Sequence, residues 1–342
     1  MRDERRGPLS RRDLLRRGAL GIAGVALTSE RLRALEQHAA HGSGAIYGSH
    51  DPANAATQGL ITGPSLDAHA FLENFDYGTV SRLPDGRTVR DYEITAVDRE
   101  IEVAPGVLYP AWTYNGQVPG PTLRATEGDL VRVQFTNGGT HPHTMHFHGL
   151  HAARMDGVYE VVQPGDTFLY EFAARPFGLH PYHCHTIPIK RHISKGLYGA
   201  FIVDPPTPRP PAREMVMVMN GFDTNFDGSN EIYAANTVPF AYHHRPIPVR
   251  RGELQRIYLV NMLEFDLVNS FHLHGNFFHV YRTGTRLVPD DFTDTVMLCQ
   301  GERHILELTY EDTGPFMFHA HQSEFTELGW MGVFQVGEGT VA

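Results

Sequence analysis

From about residue 90 onward, apolar and polar positions alternate in short runs separated by turn glycines. Successive side chains of a strand point to opposite faces, so a period of two marks strands with one face in a core. The runs come in matched pairs. "EGDLVRVQFTN" (127–137) returns as "RGELQRIYLVN" (251–261), "TMHFHGLH" (144–151) as "SFHLHGNF" (270–277), and "PGDTFLYEF" (164–172) as "QGERHILEL" (300–308). The offset of roughly 125–135 residues is too long for a solenoid and suits a duplicated domain. The pattern therefore predicts an all-β chain of two β-sandwiches. Proline-rich "DPPTPRPPARE" (204–214) reads as the stiff linker between them. The predicted domains cover 88–205 and 206–342, after an N-terminal extension over 41–87. In "EMVMVMNGF", Met215, Met217 and Met219 alternate with valines and read as a buried strand rather than a methionine metal site.

Of 21 histidines, eight form four H-x-H pairs: His146/His148, His183/His185, His272/His274 and His319/His321. In a strand each pair aims two imidazoles at one spot. One such pair is unremarkable. Four of them, two per repeat at matching positions, would cost several kcal/mol if buried without partners, which points to metal. Nitrogen ligands alone suit zinc, copper, iron or nickel. Cys184 narrows the choice. It lies between His183 and His185 and faces the other side of the strand. His192 comes from the following loop, and His143 lies on the strand face opposite His146. Two imidazoles and one thiolate make the blue-copper set. Its weak axial position falls at Leu197, which cannot coordinate and predicts a higher potential than methionine would give. In the second repeat Ala320 stands in the place of the cysteine.

Hydrophobic content of 41% and charged content of 20% describe a globular chain, and 34 glycines and 23 prolines suit many turns. The formal net charge is -10. The first 33 residues hold nine Arg against four Asp/Glu, or +5, which leaves -15 on the rest and argues against nucleic acid or an anionic membrane as partner. Arg11 and Arg12, followed by the apolar stretch Ala19 to Leu27, resemble a twin-arginine export signal. Residues 1–40 are accordingly set aside as signal and flexible N-terminus, and a periplasmic or extracellular location is expected. The apolar stretch is too short for a membrane span. An exported chain with two cysteines could form a disulfide. The setting of Cys184 among histidines argues against one, and Cys299 is expected to be a small buried apolar residue.

Together "YNGQVPGPTLRATEGDLVRVQFTN", "MHFHGLH", "MDGV", "HCH" and "HISKGLYGAFIV" resemble the multicopper oxidases, specifically the two-domain laccase-like kind, over about residues 90–340. The resemblance implies cupredoxin-like Greek-key β-sandwich domains and four coppers per chain. His143, Cys184 and His192 would hold type 1 copper. His146 and His272 would hold type 2 copper. His148, His183, His185, His274, His319 and His321 would hold the type 3 pair. Electrons from a small reducing substrate would enter at type 1 copper and pass through Cys184 to the trinuclear site, where O2 is reduced to water. Phenols and aromatic amines are the default donors, with Cu(I), Fe(II) or Mn(II) as alternatives. Asp156 matches a family carboxylate and is the proton-relay candidate, although an aspartate before glycine also suits a turn. Glu324 and Glu327 are weaker candidates, because the family's acid position falls at Thr326. The resemblance further implies a homotrimer whose trinuclear sites lie between subunits.

The second repeat resembles a type 1 site that has been given up. Ala320 replaces the cysteine, Asn269 one histidine, and Phe325 and Trp330 the other histidine and the axial methionine. Two rival readings exist. Copper nitrite reductases share the domains and the first-domain type 1 copper, but typically lack the histidine after the cysteine and the second-domain H-x-H pairs, so His185, His274 and His319 count against them. A copper carrier would need the type 1 set alone and would leave eight histidines idle.

Overall fold

The computed structural model describes residues 66–338. The export-signal reading and the extension up to residue 65 therefore lie outside the described residues. Strands dominate what remains, in four sheets. One sheet runs in the order Phe75–Asp76, Thr122–Thr126, Tyr198–Asp204, Gly178–His183, His146–Phe147. Facing it are Thr79–Arg82, Thr88–Ala104, Leu130–Asn137 and Thr167–Ala173, with Val107–Tyr114 paired to the long second strand. The second half repeats the arrangement. Ile232–Ala235, Arg213–Phe222, Gln255–Asn261, Arg303–Leu308, Phe278–Arg282 and Asp291–Thr293 form one sheet. Ile247–Arg250, Met331–Gly337, Gly314–His319, Val268–Leu273 and Thr295–Cys299 form the other.

The internal repeat holds at the level of register. Val89–Thr95 pairs in parallel with Leu130–Thr136, and Arg213–Met219 repeats this with Gln255–Asn261, Met215 lying opposite Ile257. Leu130 lies opposite Ala173 in an antiparallel pair, as Gln255 lies opposite Leu308. Alternation is visible in Leu130–Asn137, where Val131, Val133 and Phe135 are buried and Gln134 is exposed. Met215, Met217 and Met219 are all buried in the second core, as expected. The tail of the proline-rich linker departs from expectation. Arg213 and Glu214 are already in a strand, opposite Gln255 and Arg256.

Two devices join the sandwiches. A third apolar cluster lies between them, with Val118, Leu179 and Tyr198 from the first against Val216, Tyr258 and Ile305 from the second. Beside it, Arg124 bonds Asp204 at 2.8 Å and Glu214 at 2.6 Å, and Arg256 bonds Glu214 at 2.9 Å and Glu307 at 2.6 Å. Glu214 thus shares its carboxylate between a guanidinium from each half. The segment before the first sandwich adds a strap. Asp67 caps the helix Ala68–Glu73, whose Ala68 and Leu72 enter the second core. Phe75–Asp76 then pairs with Thr122–Leu123 of the first sandwich.

Candidate metal centre

The strand Gly178–His183 ends at the first H-x-H residue, and Cys184 follows with its N–H bonded to the Leu197 carbonyl at 3.0 Å. That bond turns the sulfur into the core of the first sandwich. His143 is held in its loop by reciprocal backbone bonds with Val162, at 3.1 and 3.0 Å. His192 projects from the short helix Ile189–Ser194. The sulfur lies 3.2 Å from His192 Nδ1 and 4.0 Å from His143 Nδ1, and the two nitrogens are 3.2 Å apart. Thr144 N–H points at the sulfur from 3.4 Å. Burial lowers the His143 pKa to about 3 and that of His192 to about 4, so both rings are neutral and free to donate lone pairs. The same burial raises the Cys184 thiol. A metal that takes the thiolate must therefore displace a proton. Two imidazole nitrogens and a sulfur converging within hydrogen-bond range in a dry pocket fit a copper of the blue type. Leu197 is fully buried in the same cluster.

The remaining histidines form two groups with the same construction. His146 lies opposite His183 across a strand pair, and His272 lies opposite His319. His148 Nε2 and His183 Nε2 are 3.3 Å apart, and His274 Nε2 and His319 Nε2 are 2.9 Å apart. His185 closes against His146 with ring centroids 5.3 Å apart, as His321 does against His272 at 5.2 Å. His183 Nδ1 and His319 Nδ1 each meet the next residue's carbonyl, Cys184 O at 3.0 Å and Ala320 O at 2.5 Å. These bonds fix both tautomers with Nε2 facing the centre of each group. Burial lowers His148 to about 3 and His183 to about 4, while His319 is lowered for the same reason. The expected strand geometry holds only in part. His148, His185, His274 and His321 lie just beyond the strand ends, where the chain curls and still brings each pair to one spot. His274 and His321 are exposed, so the second group opens to solvent.

Where the first sandwich has Cys184, His192 and Leu197, the second has Ala320, Phe325 and Trp330 on the same backbone frame. Ala320 N–H bonds Trp330 O at 3.2 Å as Cys184 N–H bonds Leu197 O. Trp330 N–H bonds Phe325 O at 2.8 Å as Leu197 N–H bonds His192 O at 3.2 Å. The space is filled with apolar groups. Phe325 stacks on Tyr233 with centroids 4.1 Å apart, and Trp330 packs on Phe271. Asn269 is buried, its side-chain oxygen accepting from Ser270 N–H.

Asp156 meets the first group through both of its oxygens. Its carbonyl lies 2.7 Å and its carboxylate 3.2 Å from His146 Nδ1, and the carboxylate is 3.7 Å from His151 Nε2. Gly157 makes this placement possible. A Cβ there would fall 1.9 Å from the Met145 carbonyl, so the turn can approach only with glycine. The second group has an equivalent that the sequence analysis passed over. Asp294 presents its carbonyl 3.1 Å from His272 Nδ1 and its carboxylate to Thr295 Oγ1, which is itself 2.8 Å from that nitrogen. No sequence spacing marks it, because Asp294 reaches His272 from just before the strand that pairs with the one carrying His272. Glu324 and Glu327 are exposed and are not brought to the histidines; from their helix, Thr326 Oγ1 reaches His319 Nδ1 at 3.3 Å. Cys299 corrects an expectation. It is exposed, not buried, because Thr295–Cys299 is a strand at the end of its sheet that turns Val296 and Leu298 inward and Met297 and Cys299 outward. Both cysteines are free thiols.

Residues 96–208 and 208–340 each match a family model described as multicopper oxidase. The chain belongs to the multicopper oxidases. Among solved structures, one described as a multicopper oxidase is 55% identical, with a TM-score of 0.79, covering 80% of this chain and 98% of that one. The multicopper oxidase mgLAC is 28% identical, with a TM-score of 0.66, covering 74% and 88% of the two chains. Among curated proteins, the copper-containing nitrite reductase of Neisseria meningitidis serogroup A is 30% identical over 259 residues, 68% of this chain and 67% of that protein. This multicopper oxidase is thus a copper-dependent oxidoreductase of cupredoxin-like fold. Among the described residues no helix is long and apolar enough to cross a membrane.

Proposed function

We propose that this multicopper oxidase couples one-electron oxidation of phenolic or aromatic donors to the four-electron reduction of O2 to water, using four coppers per chain. His143, Cys184 and His192 would hold the type 1 copper. His146 and His272 would hold type 2 copper, and the other six paired histidines the type 3 pair. Bound there, copper supplies a one-electron acceptor at the first set and an O2-binding cluster at the second. The chain's own contribution is connectivity. Cys184 is covalently one residue from both His183 and His185, so the sulfur of one site and two imidazoles of the other share a few backbone bonds. Asp156 holds His146 by Nδ1 and can carry a proton at its carboxylate; it is the proposed relay.

The duplicated four-histidine groups carry this reading. Each offers four imidazoles, and the second faces solvent through His274 and His321. We infer that the two halves meet between subunits, the first domain of one facing the second domain of the next in a ring of three, as a head-to-tail interface that closes. An exported location agrees with the same family reading.

A second reading draws on the nitrite reductase likeness over two thirds of both chains. Such a site needs fewer histidines, and His185, His274 and His319 would be superfluous. Copper content and spectra of the copper-loaded protein separate the two. About four coppers per chain, a strong blue thiolate band, a near-ultraviolet type 3 shoulder and O2 uptake with phenolic donors are expected. About two coppers, no such shoulder, and turnover of nitrite would overturn the proposal.

A further inference from the structure

In each four-histidine group the last imidazole hangs from a backbone N–H that its strand does not satisfy. Gly178–His183 and Gly314–His319 both end two residues earlier, so the N–H groups of His185 and His321 have no ladder partner. One hydroxyl in each sandwich takes that place. Thr144 Oγ1 accepts from His185 N–H at 2.9 Å, and Ser270 Oγ accepts from His321 N–H at 2.7 Å. The two hydroxyls sit at matching positions, each two residues before the first histidine of its repeat. Both residues are buried and pinned by their own carbonyls. Tyr114 O–H donates to Thr144 O at 2.5 Å, and Trp330 Nε1–H donates to Ser270 O at 3.1 Å. Valine would fill the space of the threonine, and alanine most of that of the serine, so packing alone does not ask for a buried hydroxyl at both places. The hydroxyl hydrogens go different ways. Ser270 Oγ donates to Gln322 Oε1 at 2.5 Å. Thr144 Oγ1 has Cys184 Sγ at 3.9 Å as its other contact. The Cys184 thiol hydrogen is aimed at Thr186 Oγ1, 3.5 Å away, which leaves a sulfur lone pair to the Thr144 hydroxyl. The repeat with Ala320 has the same hydroxyl and no sulfur beside it. Holding the histidine is therefore the task the two share, and the sulfur contact is an addition of the first sandwich.

We infer that Thr144 and Ser270 are positioning residues for His185 and His321, and that Thr144 also ties the first histidine group to the sulfur. The inference rests on the reading of these histidines and Cys184 as copper ligands. The hydroxyl oxygen fixes the backbone of the second histidine, and so where its imidazole stands against His146 or His272. The Thr144 hydroxyl hydrogen, directed at the Cys184 thiolate, draws electron density from the sulfur, weakens its donation to a bound copper(II) and raises the potential of that site. The same hydroxyl lays a second, non-covalent link beside the peptide bond from Cys184 to His185.

Three variants test this. Thr144→Val removes the hydroxyl and keeps the shape, Thr144→Ser keeps the hydroxyl, and Ser270→Ala is the matching loss in the second sandwich. In the copper-free protein, amide hydrogen exchange is expected to quicken about tenfold at His185 in Thr144→Val and at His321 in Ser270→Ala, each without the other, and to stay at the wild-type rate in Thr144→Ser. Unchanged exchange at both histidines, or equal quickening across both sandwiches, overturns the positioning role. In the copper-loaded protein, a chelator is expected to strip the histidine groups about tenfold more readily in Thr144→Val and in Ser270→Ala, with the blue band present in both. Equal resistance in wild type and both variants counts against the same role. Redox titration of the blue band is expected to place Thr144→Val below wild type, with Thr144→Ser and Ser270→Ala unchanged. An unchanged potential in Thr144→Val removes the tie to the sulfur. Exchange as expected in a protein that shows neither blue band nor near-ultraviolet shoulder overturns the copper reading and leaves the two hydroxyl bonds standing.

Discussion

At the scale of single residues the centre turns on Cys184. Its burial raises the thiol, so a metal bound there would have to expel that proton. Replacing Cys184→Ser is expected to abolish the blue band and lower donor oxidation by at least about a thousandfold, while thermal unfolding of the copper-free chain stays close to wild type. Retention of the band would exclude the sulfur as ligand. The paired aspartates make a second prediction. Asp156→Asn neutralises the carboxylate that faces His146, and Asp294→Asn the one that holds the Thr295 hydroxyl against His272, while both backbone carbonyls stay; each is expected to lower metal affinity or turnover by about tenfold. If Asp156 is the relay, only its variant also shifts the pH profile of kcat. The four histidine pairs that the structure gathers into two groups, and Ala320, Phe325 and Trp330 on the matching frame, were legible in the sequence because H-x-H spacing and repeat alignment mark them. Asp294 was not, because its contact comes from a neighbouring strand and no local spacing announces it. The outward turn of Cys299 was hidden for a related reason: which face of an edge strand is buried depends on its partners.

Among elements, the strands were readable from alternation and the register repeat from aligned motifs. What escaped was where strands stop. His148, His185, His274 and His321 fall just past strand ends, and their convergence depends on turns such as Asp156–Gly157 packing under Met145. The linker's last residues were likewise misjudged, since Arg213 and Glu214 owe their strand to Gln255 and Arg256 rather than to local propensity. Burying neutral histidines in these elements has a consequence for pH. His143 and His148 are lowered to about 3, and His183 and His192 to about 4, from 6.5. The unfolded chain therefore binds more protons below about 6.5, and stability falls with pH through that window, by up to ~1.4 kcal/mol per unit for each ring. Urea midpoints of the copper-free protein are expected to be flat above pH 7 and to drop markedly by pH 5. A midpoint independent of pH across this range would contradict the burial of these rings.

For the whole molecule, the bridge between sandwiches and the meeting of half-sites are separable. Arg124→Leu strands Asp204 and leaves Glu214 to Arg256 and the Tyr258 hydroxyl, and is expected to cost ~3 kcal/mol. A single unfolding transition should persist, since the apolar seam and the helix–strand strap still join both halves. The proposed ring makes a sharper claim. Chains carrying His148→Ala and chains carrying His274→Ala should each be inactive. Mixed, dissociated and reassembled together, they should recover a fraction of wild-type turnover, because a wild-type first domain can then face a wild-type second domain. No recovery, in a mixture shown to be hetero-oligomeric, would place the cluster within one chain.

The alanine at position 320 carries that claim into mass action. The second sandwich keeps its imidazoles but has no sulfur of its own, so on the ring reading it draws every electron from the neighbouring chain. A lone chain would be a charged wire without a load at one end and a load without a wire at the other. Specific activity would then depend on protein concentration, fading on dilution below the dissociation constant even though each chain remained folded and blue.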